Sequence, residues 1–193
     1  MPTQINLTFE HTYAVEEIQD LPGSSPARVH YLPSGSEISG HDGICLKISP
    51  RTGAPWIGMF AFNINRNSEA PSGVFGCPDG ETLCVVSQGT GYMVCASDPT
   101  KCDIVPASPV LGVCALKHAR LLVFWDCTTI AAWGPAGFAW KTERLCADEL
   151  RIEEITSSSV KGSGWDPVTN GRSSFEVELQ TGRILSRTGT VLP

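Results

Sequence analysis

A chain of 193 residues with 41% hydrophobic and 18% charged side chains can bury one ordinary core, and it is expected to form a single domain. Its 20 acidic residues outnumber the 14 basic ones, for a net charge of −6, and the basic residues form no cluster. That balance excludes nucleic acid and anionic membranes as expected partners, because phosphate affinity comes mainly from Lys and Arg.

Residues 1–40 read as a lead-in of strand and turns. Ile5, Leu7, Phe9, Tyr13 and Val15 alternate in part with polar neighbours, as one strand or two short ones would. Proline and glycine break the chain at residues 21–26 and 32–36. Residues 44–48 and 56–64 then read as strands on either side of a break at 49–55. The next unit opens at Gly73-Val74-Phe75, turns at Pro78-Asp79-Gly80, and continues through strands at 83–86 and 92–96. Another opens at Gly112-Val113-Cys114, with strands at 121–125, 129–133 and 138–142 around the turn Gly134-Pro135-Ala136-Gly137. The last has strands at 150–155, 160–165 and 175–179, and residues 186–193 form a tail. Residues 14–19 and 146–151 lack the length and apolar stripe of a packed helix and read as turns or strand ends.

Residues 41–185 carry a spacing near forty. Leu83-Cys84-Val85-Val86 with Tyr92-Met93-Val94 lines up with Leu121-Leu122-Val123-Phe124 and Ile130-Ala131-Ala132 at an offset of 38. Val74, Val113 and Ile152 stand 39 apart, and Ile44 precedes Leu83 by 39. A period near forty with several strands per unit is a propeller-blade pattern. The expected fold is therefore all-β and propeller-like, with about four short antiparallel blade units; a β-sandwich is the alternative. Were the units not to close a ring, a sheet edge would stay exposed, and pairing between chains would give a homodimer.

The segment Gly137-Phe138-Ala139-Trp140-Lys141-Thr142-Glu143-Arg144-Leu145, with Gly162-Ser163-Gly164-Trp165-Asp166-Pro167 beyond it, is similar to a group of uncharacterised bacterial proteins with blade-like β repeats. The resemblance runs over about residues 40–183 and implies the fold but no activity. Trp165-Asp166 does not make this a WD-type repeat, because the Gly-His opening is missing.

Candidate chemistry is sparse. The eight cysteines form no C-x-x-C pair and read mainly as small buried hydrophobes, with Cys77–Cys84 or Cys95–Cys102 bridges as the alternative. The four histidines are scattered. His41-Asp42 is the most suggestive pair, and neither a metal nor a cofactor is expected. Ser87, His118 and Asp126, or Cys127 with His118, could be assembled into a nucleophilic set only by geometry. Gly89-Thr90-Gly91 and Gly162-Ser163-Gly164 lack the Gly-Lys-Ser/Thr that completes a phosphate loop, and Ser87-Gln88-Gly89-Thr90-Gly91 reads as a tight hairpin. Glu153 and Glu154, adjacent in one strand, should face opposite sides.

Asp126 and Asp166 each follow a Trp at the end of equivalent strands, 40 apart, and could line one rim or cap their own turns. Of the five Trp residues, most should anchor cores. Trp125 and Trp165, with Asp126 and Asp166, are the candidate ligand-binding residues. No catalytic residue is assigned. A protein partner met through loops at Asp79-Gly80, 134–137 and 166–172 is the first functional expectation. A small-molecule or glycan ligand is the second, and hydrolysis the third. The opening Met1-Pro2-Thr3-Gln4-Ile5-Asn6 has no signal-peptide character, so the cytoplasm is the expected location.

Overall fold

The computed structural model describes residues 3–19, 28–34, 42–62 and 70–189, all strand, turn or irregular backbone. The chain divides into two compact units, Met1–Val110 and Leu111–Pro193.

In the first unit the strands are β1 (Gln4–Asn6), β2 (Tyr13–Glu17), β3 (Arg28–Leu32), β4 (Gly43–Pro50), β5 (Trp56–Ala61), β6 (Gly73–Gly76), β7 (Thr82–Ser87), β8 (Thr90–Cys95) and β9 (Asp98–Ile104). They form sheet 1, ordered β2-β4-β5-β3, and sheet 2, ordered β1-β6-β7-β8-β9. Alternation drives the packing: Ile44, Leu46 and Ile48 of β4 all point into one core, against Val74, Leu83, Val85 and Tyr92 of sheet 2. Each such buried aliphatic side chain stabilises the fold by roughly 1.5–3 kcal/mol. Trp56 closes the contact by donating its indole N–H to the Ala96 carbonyl at 2.7 Å.

In the second unit the strands are β10 (Gly112–Leu116), β11 (Leu121–Trp125), β12 (Ile130–Gly134), β13 (Gly137–Lys141), β14 (Asp148–Ile155), β15 (Ser159–Asp166), β16 (Gly171–Glu178) and β17 (Ile184–Arg187). Two up-and-down sheets result, sheet 3 (β10-β11-β12-β13) and sheet 4 (β14-β15-β16-β17), each with the meander of a propeller blade. Leu121, Val123, Ile130 and Ala132 pack on Val160, Phe175, Val177 and Leu179. Trp140 repeats the strap of the first unit, its indole N–H donating to the Leu179 carbonyl at 3.0 Å. The two straps span 40 and 39 residues of sequence.

The 39-residue spacing of Val74 and Val113 falls on matching backbone pairs. The offset of 38 read for Leu83 and Leu121 is one residue short: Leu83 pairs with Val94, and the pair 39 residues on is Leu122 with Trp133. Gly73 pairs with Val86 in sheet 2, and Gly112 with Trp125 in sheet 3, both partners shifted by 39. The chain is all-β, and its described residues form four short sheets, mostly antiparallel.

Several details differ from the expectation. Two pairings are parallel, β1 on β6 and β3 on β5, so the stretch read as a lead-in supplies strands to two sheets. β9 and β17 carry no alternating apolar pattern and were not expected. They are edge strands, held by backbone bonds to one neighbour.

Glu153 and Glu154 do not face opposite sides. A bulge in β14 lets Glu153 accept from Ser163 Oγ while Glu154 pairs with Lys161 at 3.1 Å, and Ser163 and Lys161 share one face of β15. The extra residue of a bulge cancels the alternation that the expectation used. The free edge β14 thus carries two bulges and an array of charges, devices that oppose edge-to-edge pairing. The breaks expected at 21–26 and 35–36, the end of the strand read at 56–64, and His41 lie outside the described residues. Among the described residues no helix is long and apolar enough to cross a membrane.

Candidate functional site

The four candidate residues all lie in the second unit. Trp125 ends β11 half-buried, its indole lying over Gly112 on the neighbouring strand so that a Cβ there would overlap the ring. An aromatic ring covering a cross-strand glycine is a packing device, compensating for the side chain that glycine lacks. Trp125 also packs against the core of its unit.

Asp126 follows it and is buried. Its Oδ1 accepts from the backbone N–H of Thr128 at 2.8 Å and of Thr129 at 2.6 Å, and its Oδ2 accepts from Thr129 Oγ1 at 2.7 Å. The same turn is built at Asp79, which accepts from the N–H of Glu81 and Thr82 at 3.0 and 2.8 Å and from Thr82 Oγ1 at 2.6 Å. An Asp followed three residues later by Thr folds this way because the carboxylate replaces a missing backbone acceptor. Asp126 therefore uses both oxygens inside its own turn.

Asp166 ends β15, the second strand of sheet 4, as Asp126 follows the second strand of sheet 3. It too is buried. Its Oδ1 accepts from the Val168 N–H at 2.9 Å, and Oδ2 sits where a Cβ on Gly189 would collide.

Trp165 differs from the other three in facing water, at 37% exposure, with Val168 beyond it on the turn at 62%. Across the sheet its neighbours are Asp148 on β14 and Arg172 on β16. Arg172 is fixed from several sides. Its Nε donates to Ser163 Oγ at 3.0 Å, and its Nη2 donates to the Glu149 and Ser163 carbonyls at 2.9 and 3.1 Å. Glu149 reaches it from a left-handed backbone, φ 53°, at the second bulge of β14. Sequence reasoning missed this group, because the bulge that turns Glu149 toward β16 has no local signature.

The other Trp residues, Trp56, Trp133 and Trp140, are buried at 4%, 8% and 6% exposure. Ser87 donates its hydroxyl to the Phe60 carbonyl at 2.8 Å, and His118 lies exposed on the turn after β10. All eight cysteines are free thiols. Burial holds Cys127 above the ordinary thiol range, with Asp148 and Asp126 adding to it, and Cys146 is pushed up to about 11 by burial and Asp148. Thiols kept protonated in this way make poor nucleophiles.

The first unit holds a cleft of about 1030 Å³ between its two sheets. One wall is the edge of sheet 2, with Gln4, Ser72 and Gln88. The other is the end of sheet 1, with Glu17, Ile44 and Met59. Gln88 takes a left-handed conformation, φ 43°, at the hairpin with Gly89, and its backbone N–H donates to Ser72 Oγ at 3.2 Å. The hairpin was legible in sequence. The cleft was not, because its walls come from segments as far apart in sequence as Gln4 and Gln88.

No protein-family model matches the chain, and no curated protein matches it. Among solved structures it is similar to part of a eukaryotic initiation factor, with 14% identity and a TM-score of 0.40 over 75% of this chain and 40% of that one. It is also similar to dihydro-heme d1 dehydrogenase NirN in complex with DHE (16% identity, TM-score 0.45, 78% and 33% covered). A third is the N-terminal domain of Nup159 (13% identity, TM-score 0.36, 97% and 54% covered). The chain thus spans between 33% and 54% of the length of those chains.

Proposed function

We propose that this chain is a non-catalytic binding module that recognises a protein partner through the turn from Asp166 to Arg172. The observation behind the reading is the pairing of exposed Trp165 and Val168 on a turn whose two ends, Asp166 and Arg172, are held by hydrogen bonds within the chain. A rigid aromatic with few rotatable bonds, set among fixed charged groups, is the composition of an interface hot spot. The hairpin at 134–137 offers a second apolar contact in Phe138, exposed at 52%. Hydrolysis has less support, since Asp126 and Ser87 direct their polar atoms into their own scaffold and the thiols stay protonated. The reading takes the partner to be a cytoplasmic protein and the chain to be bacterial, as its sequence suggests.

The test is affinity capture from lysate with tagged wild type, Trp165→Ala, and Lys117→Ala as a surface control, all checked by circular dichroism. The expected outcome is one stoichiometric protein that Trp165→Ala loses and Lys117→Ala retains. A partner held equally by all three, or none at all, would remove this turn from consideration.

A further inference from the structure

The hairpin joining β15 to β16 ends in Asn170-Gly171. Residues 168–170 are exposed, and Asn170 holds a left-handed backbone, φ 49°, which Asn tolerates better than most residues. Among the described residues no hydrogen bond ties down its carboxamide. Gly171 pairs with Asp166 at the last position of the β15–β16 ladder, where backbone pairs open most easily. A Cβ on Gly171 would come no closer than 3.4 Å to any residue beyond its chain neighbours, the nearest atom being Thr169 Oγ1. Its nitrogen therefore has neither a side chain of its own nor packed neighbours to shield it. Two other Asx-Gly pairs lie in described residues, and both are closed. Asp79 uses its carboxylate on Glu81 and Thr82, and the Gly80 N–H donates to the Cys77 carbonyl at 3.0 Å. After Asp42, Gly43 lies so tightly against β5 that a Cβ would sit 2.3 Å from the Phe60 carbonyl oxygen.

We infer that Asn170 is a site of spontaneous covalent modification. When the end of the hairpin opens, the Gly171 nitrogen gives up its proton to base and attacks Cγ of Asn170. The new N–Cγ bond forms as the Cγ–Nδ2 bond breaks, and the amide nitrogen leaves as ammonia. Water then opens the cyclic imide at either carbonyl, with no electron gained or lost. Opening at Cγ leaves aspartate, whereas opening at the main-chain carbonyl leaves isoaspartate, with one extra carbon in the backbone. Either product puts a carboxylate two residues from Arg172, in the turn that carries exposed Val168 and follows Trp165. Isoaspartate also moves Gly171 out of register with Asp166. The effect on partner recognition rests on the reading of that turn given above; the modification does not.

The experiment is ageing of the full chain in mildly alkaline buffer, followed by peptide mapping, in which aspartyl and isoaspartyl peptides elute separately. Wild type should accumulate both products at Asn170 while Asp42 and Asp79 stay unchanged. Gly171→Ala, whose added methyl group shields the nitrogen, should slow the conversion by about tenfold or more. Asn170→Gly suits the left-handed backbone and has no amide to lose, so ageing it should release correspondingly less ammonia. Asn170 left intact while Asn6, Asn63, Asn65 or Asn67 converts would overturn the inference. Equal rates in wild type and Gly171→Ala, or equal ammonia from wild type and Asn170→Gly, would do the same. In the lysate capture, aged wild type should lose the partner that aged Gly171→Ala keeps. The two failures are distinct. An intact Asn170 overturns the modification whatever is captured, whereas capture that neither Trp165→Ala nor ageing changes overturns the role of the turn and leaves the modification in place.

Discussion

Trp125 is the residue whose role the structure recasts most sharply, from ligand contact to cover for Gly112, and the two can be separated by a double-mutant cycle. The ring is half-buried. Full burial makes Trp→Ala cost about 3–5 kcal/mol. Scaled to partial exposure, Trp125→Ala should cost about 2 kcal/mol. Gly112→Ala places a Cβ inside the indole. The ring can swing partly into water, so the overpacking cost should fall near the low end of the usual range, about 1–2 kcal/mol. With the indole gone, the same added methyl group meets open space, and Gly112→Ala in the Trp125→Ala background should be close to neutral. The coupling between the two sites is then about 1–2 kcal/mol, well above the ~0.5 kcal/mol within which distant mutations add. Urea unfolding followed by far-UV circular dichroism measures all four proteins without relying on Trp fluorescence. If Gly112→Ala costs the same with and without Trp125, the ring is not held by that glycine and the packing assignment fails.

Two further outcomes follow from the turns and the thiols. Asp126→Ala strips acceptors from Thr128 and Thr129 in a buried turn, for a loss of about 2–4 kcal/mol, whereas Asp79→Ala in the matching exposed turn should cost about 1 kcal/mol. Equal Tm values for wild type and Asp126→Ala would mean the carboxylate is free for other work. In alkaline solution the fold should weaken. Burial raises Cys102 and Cys146 from 9.0 to about 11, so between pH 9 and 11 the unfolded thiols ionise while the folded ones stay protonated. The unfolded state then binds fewer protons, and unfolding free energy falls as pH rises through this window. The fall is at most about 1.4 kcal/mol per thiol for each pH step of one, and smaller where water screens the thiolate. Urea midpoints that stay level from pH 7.5 to 10.5 would refute this.

What the sequence alone determined is local. Residues 44–48 read as a strand from their composition, and within it Ile44, Leu46 and Ile48 share one buried face because alternate residues of a strand point the same way. Gln88-Gly89 marked a hairpin, because that conformation depends on adjacent residues, while at Asp126 the sequence left a capped turn and a ligand contact both open. Strand order was local as well, since sheets 3 and 4 are each built from consecutive strands.

Tertiary structure decided whatever depends on a partner distant in sequence. The parallel pairings of β1 with β6 and β3 with β5 join segments that share no local pattern. The bulges of β14 are set by register against β15, and they turned Glu153 and Glu154 to one side where alternation alone put them on two. Exposure followed the same rule. Trp125 and Trp165 occupy equivalent strand ends, yet one covers a glycine and the other faces water. The difference lies in what the neighbouring strand presents: Gly112, which offers the ring a bare backbone to lie on, or Asp148 and Arg172, whose own side chains occupy the cross-strand positions and leave Trp165 at the surface.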